Sequence, residues 1–588
     1  MRILFLVSAH NGLSQRAWIE LTELGHEVSV AVVDSAAAME SAVSEHDPEL
    51  IVCPFLKQMI PESIWSRHRC LIVHPGPPGD RGPSSLDWGI ELGALEWGTT
   101  VFEANGEPDA GTVWASRIFR MREVGKSSLY RHEVRHAAIA TLAETIGKLA
   151  DGRLPAAPLP SAASIGRARP LMSQEVRAIG WRSDRTDHVL RKIRAGEGHP
   201  GVLDWIEGTE FHLFGGHRER SLNGRPGEII AQRAGAICRA TTDGAVWITH
   251  LKRRDKHRAK YFKLPATRAL ELAGTATDAP ELPVAIDAAL PAGHTYREIG
   301  YEQRGAVGYL QFDFYNGAMS TEQCERLRGA YAHARSQDTG VIVLMGGSDY
   351  FSNGIHLNMI EASEDPAAES WRNLQAMNDL VRDVIETESH LVISALSGDA
   401  AAGGVPLALA ADYVVAREDV VLNPHYRHMG GLHGSEYWTY LLPRRVGDET
   451  AARLTSPPFT PVGARRAVRI GLLDAAFGVS LRAFQSRARE LAERLTTDGE
   501  LEHRLERKRR RRTHDEQIKP LELYAGEELA RSRVCFFGHD RGYHRARRRF
   551  VYKTAGMHAD SRAAKAKLRA PSARPRAELQ AAAFAGLG

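Results

Sequence analysis

The chain begins MRILFLVSAHNGLSQRAWIELTELGHEVSVAVVD over residues 1–34. Ile3 to Val7 is a continuous apolar run, as in a strand covered on both faces. From Leu13 to Leu24 the apolar residues Ala17, Leu21 and Leu24 recur at helical spacing, and Gly25 stands at the stop position. Val28 to Val33 is a second apolar run. Strand, helix and strand in this order predict a doubly wound parallel sheet, which Leu50–Val52 and Leu71–Val73 extend. Ligands of such sheets sit beyond the carboxyl ends of the strands.

Outward from this unit the pattern changes twice. Residues 151–170, DGRLPAAPLPSAASIGRARP, are rich in Pro, Ala and Ser without periodicity and read as a linker. From about 171 to 265 one helix (Asp187–Arg194) precedes short strand-like runs at Glu210–Leu213, Glu228–Ala231, Ala236–Ala240 and Ala245–Leu251, a small β-rich module. Leu282–Gly293 reads as a second linker. A second α/β unit begins at Tyr301, with strand-like Val307–Phe314, helical Glu322–Ala334 and strand-like Val341–Met345. After about residue 480 the chain is helical and charged. The expected division is 1–165, 166–280 and 281–588. Residues 507–512 are six consecutive basic residues. They read as a solvated helical face, with a polyanion contact as the alternative. The last residues are rich in Ala and Arg and are expected to be partly disordered.

Composition narrows the function classes. Lys plus Arg number 76 and Asp plus Glu 72 in 588 residues, a net charge of +4. That balance gives no charge argument for a nucleic-acid partner. No run approaches the roughly 18 apolar residues of a membrane span. The five cysteines form no CxxC pair, so the expectation is a reduced, cytoplasmic protein. Gly125-Lys126-Ser127 imitates the end of a P-loop, but Arg120 stands where its first glycine belongs. No GxGxxG follows the first strand, so a dinucleotide role is not expected.

Two constellations carry chemistry. The first is LIVHPGPPGDRGP (residues 71–83) with PDAGTV (108–113). It places His74 at a strand end and Asp109 in a second loop. A histidine shuttles protons near neutral pH and a carboxylate can orient it. On spacing alone both also read as ordinary loop residues. The second joins FSNGIHL (351–357) to GDAAAGGVPLALAADY (398–413). Glycine turns let backbone approach a ligand and present N–H groups to a carbonyl oxygen. Glycines alone read more readily as tight packing turns.

Residues 1–150, through MRILFLVS, LIVHPGPPGDRGP, WGTTVF and PDAGTV, resemble the folate-dependent formyltransferases. The resemblance implies 10-formyltetrahydrofolate as donor, His74 and Asp109 as the proton-transfer pair, and Arg81, Gly82 and Gly111 at the binding site. The family asparagine position is Ile72, which cannot donate a hydrogen bond to the formyl oxygen. RPLMSQEVRAIGW, HVLRKIRAGEGHPG and TTDGAVWITHLK resemble the β-barrel (OB-like) C-terminal module of the same enzymes. Residues 299–480 resemble the crotonase (enoyl-CoA hydratase/isomerase) superfamily. That implies coenzyme A, an oxyanion hole from the N–H groups of Ile355 and Gly403, and ligand-side Gly354 and Gly404. The two hydratase glutamates are replaced, one by Pro406 and one near His425 or Tyr426. Hydration is therefore not expected, and Tyr426 and Glu436 become the candidates for acid–base or positioning work. Glu436 also reads as a helix-start residue. His425, His428 and His433 have no metal-ligand spacing, and no metal is expected.

The two halves in one chain, with CFFGHDRGYHRARRRFVYK at 535–553, resemble the HypX/HoxX family of nickel–iron hydrogenase maturation factors. That resemblance implies making the carbon monoxide ligand of the active-site iron. The formyl group would pass to coenzyme A and formyl-CoA would be decarbonylated, in a cavity shared by the halves. The expected partners are folate, coenzyme A and hydrogenase-assembly proteins, with no nucleic acid and no membrane. Two alternatives remain: a formyl-folate hydrolase or formyltransferase joined to a CoA-dependent hydratase/isomerase, and a non-catalytic assembly scaffold.

Overall fold

Ile3 to Val7 are buried because strand β1 (Arg2–Val7) lies inside a six-stranded sheet. The computed structural model describes residues 1–153, 166–254, 260–291, 293–426 and 428–554. The sheet runs β2 (Glu27–Val32), β1, β3 (Leu50–Cys53), β4 (Cys70–His74), β5 (Glu96–Glu103), β6 (Val113–Arg120). The period of two splits β1 between two cores. Ile3, Phe5 and Val7 pack with Leu13, Ala17 and Leu142 on one face, and Leu4 and Leu6 with Met39 and Ile64 on the other. The parallel arrangement expected from the sequence holds for β1 to β4. It fails for β5 and β6, which pair antiparallel. The loop 104–112 between them has no room for a crossover helix, so β6 must fold straight back.

The second module starts with the helix Thr186–Gly196 and continues with β7 (Val202–Ile206), β8 (Thr209–Glu219), β9 (Ile229–Arg233), β10 (Ala236–Ala240), β11 (Ala245–Arg253) and β12 (Leu264–Pro265). The order is β7-β8-β11-β10-β9, with β12 on β11. The first and last strands do not pair, so the expected barrel is an open sheet. The helix Ala266–Ala273 and the helix Thr186–Gly196 cover its apolar face through Val189, Ile193, Ala269 and Leu270. A covering helix buries the face that closure would otherwise bury.

In the third unit Ile299–Arg304, Val307–Phe312, Val341–Met345, Leu391–Leu396, Tyr413–Ala416 and Ala475–Ala476 lie side by side in that order. A smaller sheet of Tyr350–Ser352, Asp399–Ala401, Val421–Asn423 and Val462–Gly463 stands beside them. Its first two strands lead directly into the two glycine loops. Four helices follow, Leu481–Thr497, Leu501–Ile518, Leu521–Phe537 and Gly542–Tyr552. The basic run lies on the second of these and is mostly a solvated, paired face. Arg509 and Arg510 pair with Glu506, but Lys508 is buried against Asp412 at 2.6 Å.

Of the first expected linker, 154–165 lie outside the described residues. Residues 166–170 do not hang free: Ala168 bridges Arg81, and Arg169 meets Asp80. The Ala- and Arg-rich terminus also lies outside the described residues. No helix among those described is long and apolar enough to cross a membrane.

Candidate functional site

His74 ends β4 at the carboxyl edge of the first sheet, 6% exposed. Both ring nitrogens face carboxylates: Nε2 meets Asp80 Oδ2 at 2.9 Å and Nδ1 meets Asp109 Oδ1 at 3.6 Å. Asp109 is held in place by the Gly82 N–H, which donates to Oδ2 at 2.9 Å. It sits at φ 51°, in the left-handed region. A carboxylate at one ring nitrogen fixes the tautomer and leaves the other to exchange a proton. The sequence pair His74–Asp109 is thus brought together. Asp80 is the member that sequence reading missed. Its signal was present, an aspartate six residues past the histidine in the same tight loop. Asp80 is in turn paired with Arg169 at 3.3 Å.

The expected binding glycines divide by environment. Gly82 sits at φ 113°, where a side chain would strike the Arg169 carbonyl, and a side chain at Gly111 would run into the Glu103 carbonyl. Arg81 is half-exposed near Glu107 at 3.7 Å. Ile72 packs with the core that contains Cys53 and Cys70 and offers no donor.

The second cluster lies in the third unit. Gly354, at φ 78°, lets the two glycine loops close on one another; a Cβ there would stand 3.1 Å from Gly403 N. Gly404 is required by packing, because a side chain would strike the Ser352 carbonyl. Gly403 is required by the Glu436 carboxyl, whose Oε1 would lie 2.5 Å from a Cβ. Tyr426 donates its hydroxyl to Glu436 Oε2 at 2.7 Å, and Ser435 N donates to the same oxygen at 3.0 Å. Gly434 is the glycine that admits the Tyr426 ring. Burial pushes the Glu436 carboxyl up to about 7, against the hydrogen bonds from Tyr426 and Ser435 and with the charge of Glu528. Burial, followed by the Glu436 charge, holds the Tyr426 phenol well above its ordinary value. Glu436 is not a helix-start residue, since the next helix begins at Trp438.

Gly403, Tyr426 and Glu436 face a cavity of about 740 Å³, while Gly354 and Gly404, expected on the ligand side, do not line it. Ile355, Gly403, Tyr426 and Glu436 line it, and so do Gly12, Gln15 and Arg131 of the first unit and His250 and Lys263 of the second module. Lys252 and Lys553 complete a wall with four cations, suited to an elongated polyanion. Burial pushes the Lys263 ammonium down to about 8, against the pull of Glu197. His74 and Asp109 do not line this cavity. Gly12 and Gln15 follow β1 while His74 ends β4 two strand positions away, roughly 10 Å along one sheet edge. His425 and His428 meet edge to face, ring centroids 4.5 Å apart. Among the described residues no group of three His, Cys, Asp or Glu could hold a metal ion.

The segment 126–150 clamps the halves together at the strands that feed both glycine loops. Asp349, just before Tyr350–Ser352, receives Arg131 at 2.8 Å, His132 at 3.1 Å and Ser128 at 2.7 Å. Asp399, at the start of the other strand, receives Arg135 at 2.8 Å. Sequence reading gave no sign of these contacts, because partners lie more than two hundred residues apart.

Comparison with known proteins matches the formyl transferase C-terminal domain at residues 171–263 and the enoyl-CoA hydratase/isomerase family at 302–531. A methionyl-tRNA formyltransferase from Ralstonia nicotianae is 25% identical over 37% of this chain and 68% of its own. The crystal structure of HypX from Aquifex aeolicus in complex with tetrahydrofolic acid superposes with a TM-score of 0.90 at 41% identity, covering 94% of this chain and 96% of that one. The hydrogenase maturation factor HoxX of Bradyrhizobium diazoefficiens is 45% identical over 94% of this chain and 95% of its own. With end-to-end likeness at that level, the chain belongs to the HypX/HoxX family of hydrogenase maturation factors, a formyltransferase-type half joined to a crotonase-type half.

Proposed function

We propose that the chain makes carbon monoxide from the formyl group of 10-formyltetrahydrofolate, for the active-site iron of a nickel–iron hydrogenase. The observation that carries this reading is the shared cavity. Glu436, Tyr426, Gly403 and Ile355 open onto a space whose far wall belongs to the formyltransferase-type half. A hydratase has no use for that wall. A protein that must keep a formyl-thioester from water does.

In the first step the thiol sulfur of coenzyme A attacks the formyl carbon and the folate nitrogen leaves. His74, flanked by Asp80 and Asp109, takes the thiol proton and returns it to that nitrogen. In the second step the thioester carbonyl sits at the N–H groups of Ile355 and Gly403. The Glu436 carboxylate takes the formyl proton. The C–H electron pair stays on carbon as the C–S bond breaks and its pair leaves with sulfur. The thiolate then takes the proton back from Glu436, so the products are CO and coenzyme A. Tyr426 fixes the Glu436 carboxyl through its 2.7 Å hydrogen bond.

The test is the purified chain with 10-formyltetrahydrofolate, with and without coenzyme A, and reduced haemoglobin as the trap. A CO absorbance shift that needs coenzyme A is expected. His74→Ala is expected to lose the shift by about tenfold or more while still binding tetrahydrofolate. Formate without CO would instead mean a formyl-folate hydrolase, a reading that Ile72 favours by withholding the family donor. Binding without any product would leave a scaffold. Asp80→Asn is expected to cut tetrahydrofolate release by roughly tenfold, because it removes one carboxylate from the His74 ring. A rate equal to wild type in a stopped-flow assay of folate absorbance would exclude Asp80 from the first step.

A further inference from the structure

The turn 434–439 that presents Glu436 is an unusual piece of backbone. Gly434, Glu436 and Tyr437 all have positive φ, at 80°, 63° and 58°. Two successive non-glycine residues there are strained and persist only if the surroundings hold them. The largest share of that hold comes from one side chain. Glu528, fully buried on the helix Leu521–Phe537, accepts from Tyr437 N at 2.9 Å, Thr439 N at 2.8 Å, Ser435 Oγ at 3.2 Å and Thr439 Oγ1 at 2.5 Å. On the same helix Ser532 donates to the Gly434 carbonyl at 2.7 Å. Asn378 accepts the Glu436 N–H at 2.7 Å from the other side.

We propose that Glu528 is a positioning residue of the second site, holding the strained turn so that the Glu436 carboxyl faces Gly403 with a second carboxyl behind it. The inference rests on the reading of Glu436 as the base. Two buried carboxyls, one in the turn and one on the helix behind it, do not ionise independently. Burial pushes Glu528 up to about 7, as it does Glu436, and the Glu528 charge adds to the rise at Glu436. The other titratable groups facing the pair are Tyr426 and Cys324, the latter on the helix Thr321–Arg335. Burial raises both, and neither is cationic. Glu528 therefore does two things: it sets the direction of Glu436 and it delays its ionisation.

The experiment is the pH profile of CO release from formyl-CoA by the full chain, from about pH 5.5 to about 8.5. Glu528→Gln keeps the size of the side chain and removes its charge. Its rising limb is expected to move down by about one pH unit, with KM for formyl-CoA within about twofold. A purely structural residue would change the rate and leave the midpoint; an unmoved midpoint overturns the proposal. Glu436→Gln separates the two readings. Loss of CO there with an unmoved Glu528→Gln midpoint overturns only the role of Glu528. Wild-type CO release from Glu436→Gln overturns the underlying reading as well. If Glu528→Gln does not fold, Glu528→Asp keeps the charge on a shorter arm. It is expected to lose kcat by about tenfold at an unchanged midpoint, and wild-type kcat there overturns the proposal.

Discussion

A chain carrying Glu436→Gln is expected to stop with formyl-CoA in hand, releasing CO roughly 10²–10⁴-fold more slowly than wild type. The first turnover of 10-formyltetrahydrofolate should proceed at its normal rate. The substitution is unusually clean. Tyr426 and Ser435 both donate to Oε2, so a glutamine carbonyl in that place keeps both bonds. What disappears is the acceptor at Oε1, the oxygen that faces Gly403. Unfolding cannot mimic the result. The folded-state carboxyl is raised from 4.5 to about 7, first by burial. The folded chain therefore holds a proton that the unfolded chain has released. Stability from this group is complete below 4.5 and is lost as the pH rises through about 7. Glutamine has no proton to lose, so thermal melts at about pH 8 should place Tm of the variant at or above wild type. Quenched reactions read by mass for formyl-CoA, with CO read in parallel on haemoglobin, decide the point. CO at the wild-type rate would remove Glu436 from the chemistry.

How much of this was legible depended on range along the chain. β1, the helix Gly12–Glu23 and β2 are set by local periodicity, and their bounds agree with the apolar runs to within a residue or two. His74 and Asp109 stood out through the formyltransferase resemblance, since on spacing alone they read as ordinary loop residues. The antiparallel return of β6 was not legible, since WGTTVF and PDAGTV carry no sign of direction. The β-rich module was legible as strands but not as an open sheet, because closure depends on which edges meet. Glu528 was invisible. It is one acid on a charged helix, and only the fold brings it to a turn about ninety residues away. The basic run at 507–512 shows the opposite case: composition drew the eye, and the structure makes most of it ordinary surface.

The clamp between the halves was equally hidden, and it predicts the largest loss of stability. Asp399→Ala is expected to cost about 3–5 kcal/mol, because it strands a buried cation. The Arg135 side chain is 3% exposed, and its bond to Asp399 is 2.8 Å. Its Nε has no hydrogen-bond partner, and burial, followed by the Arg135 charge, lowers the nearby Arg417 guanidinium. Asp419 is the other carboxylate close enough to feel the Arg135 charge, and it is already paired with Arg417 and His136. Asp399 also accepts the Val421 N–H at 2.9 Å and opens the strand that leads to Gly403. The same change should therefore stop CO release while the His74 cluster, in another sheet, keeps its geometry. Urea unfolding gives the stability, and formyl-CoA turnover gives the second site. Adding Arg135→Met to Asp399→Ala tells charge from scaffold. If stranded charge dominates, the double variant recovers most of the stability, since replacing a whole buried pair by apolar groups costs little. If the Val421 anchor dominates, it recovers none. Recovered stability without recovered CO release is the informative outcome. It would mean that Arg135 and Asp399 tie the oxyanion loop to the first half for geometry rather than for folding. The fusion would then be part of the second site, and a separated crotonase-type half would bind its thioester without decarbonylating it.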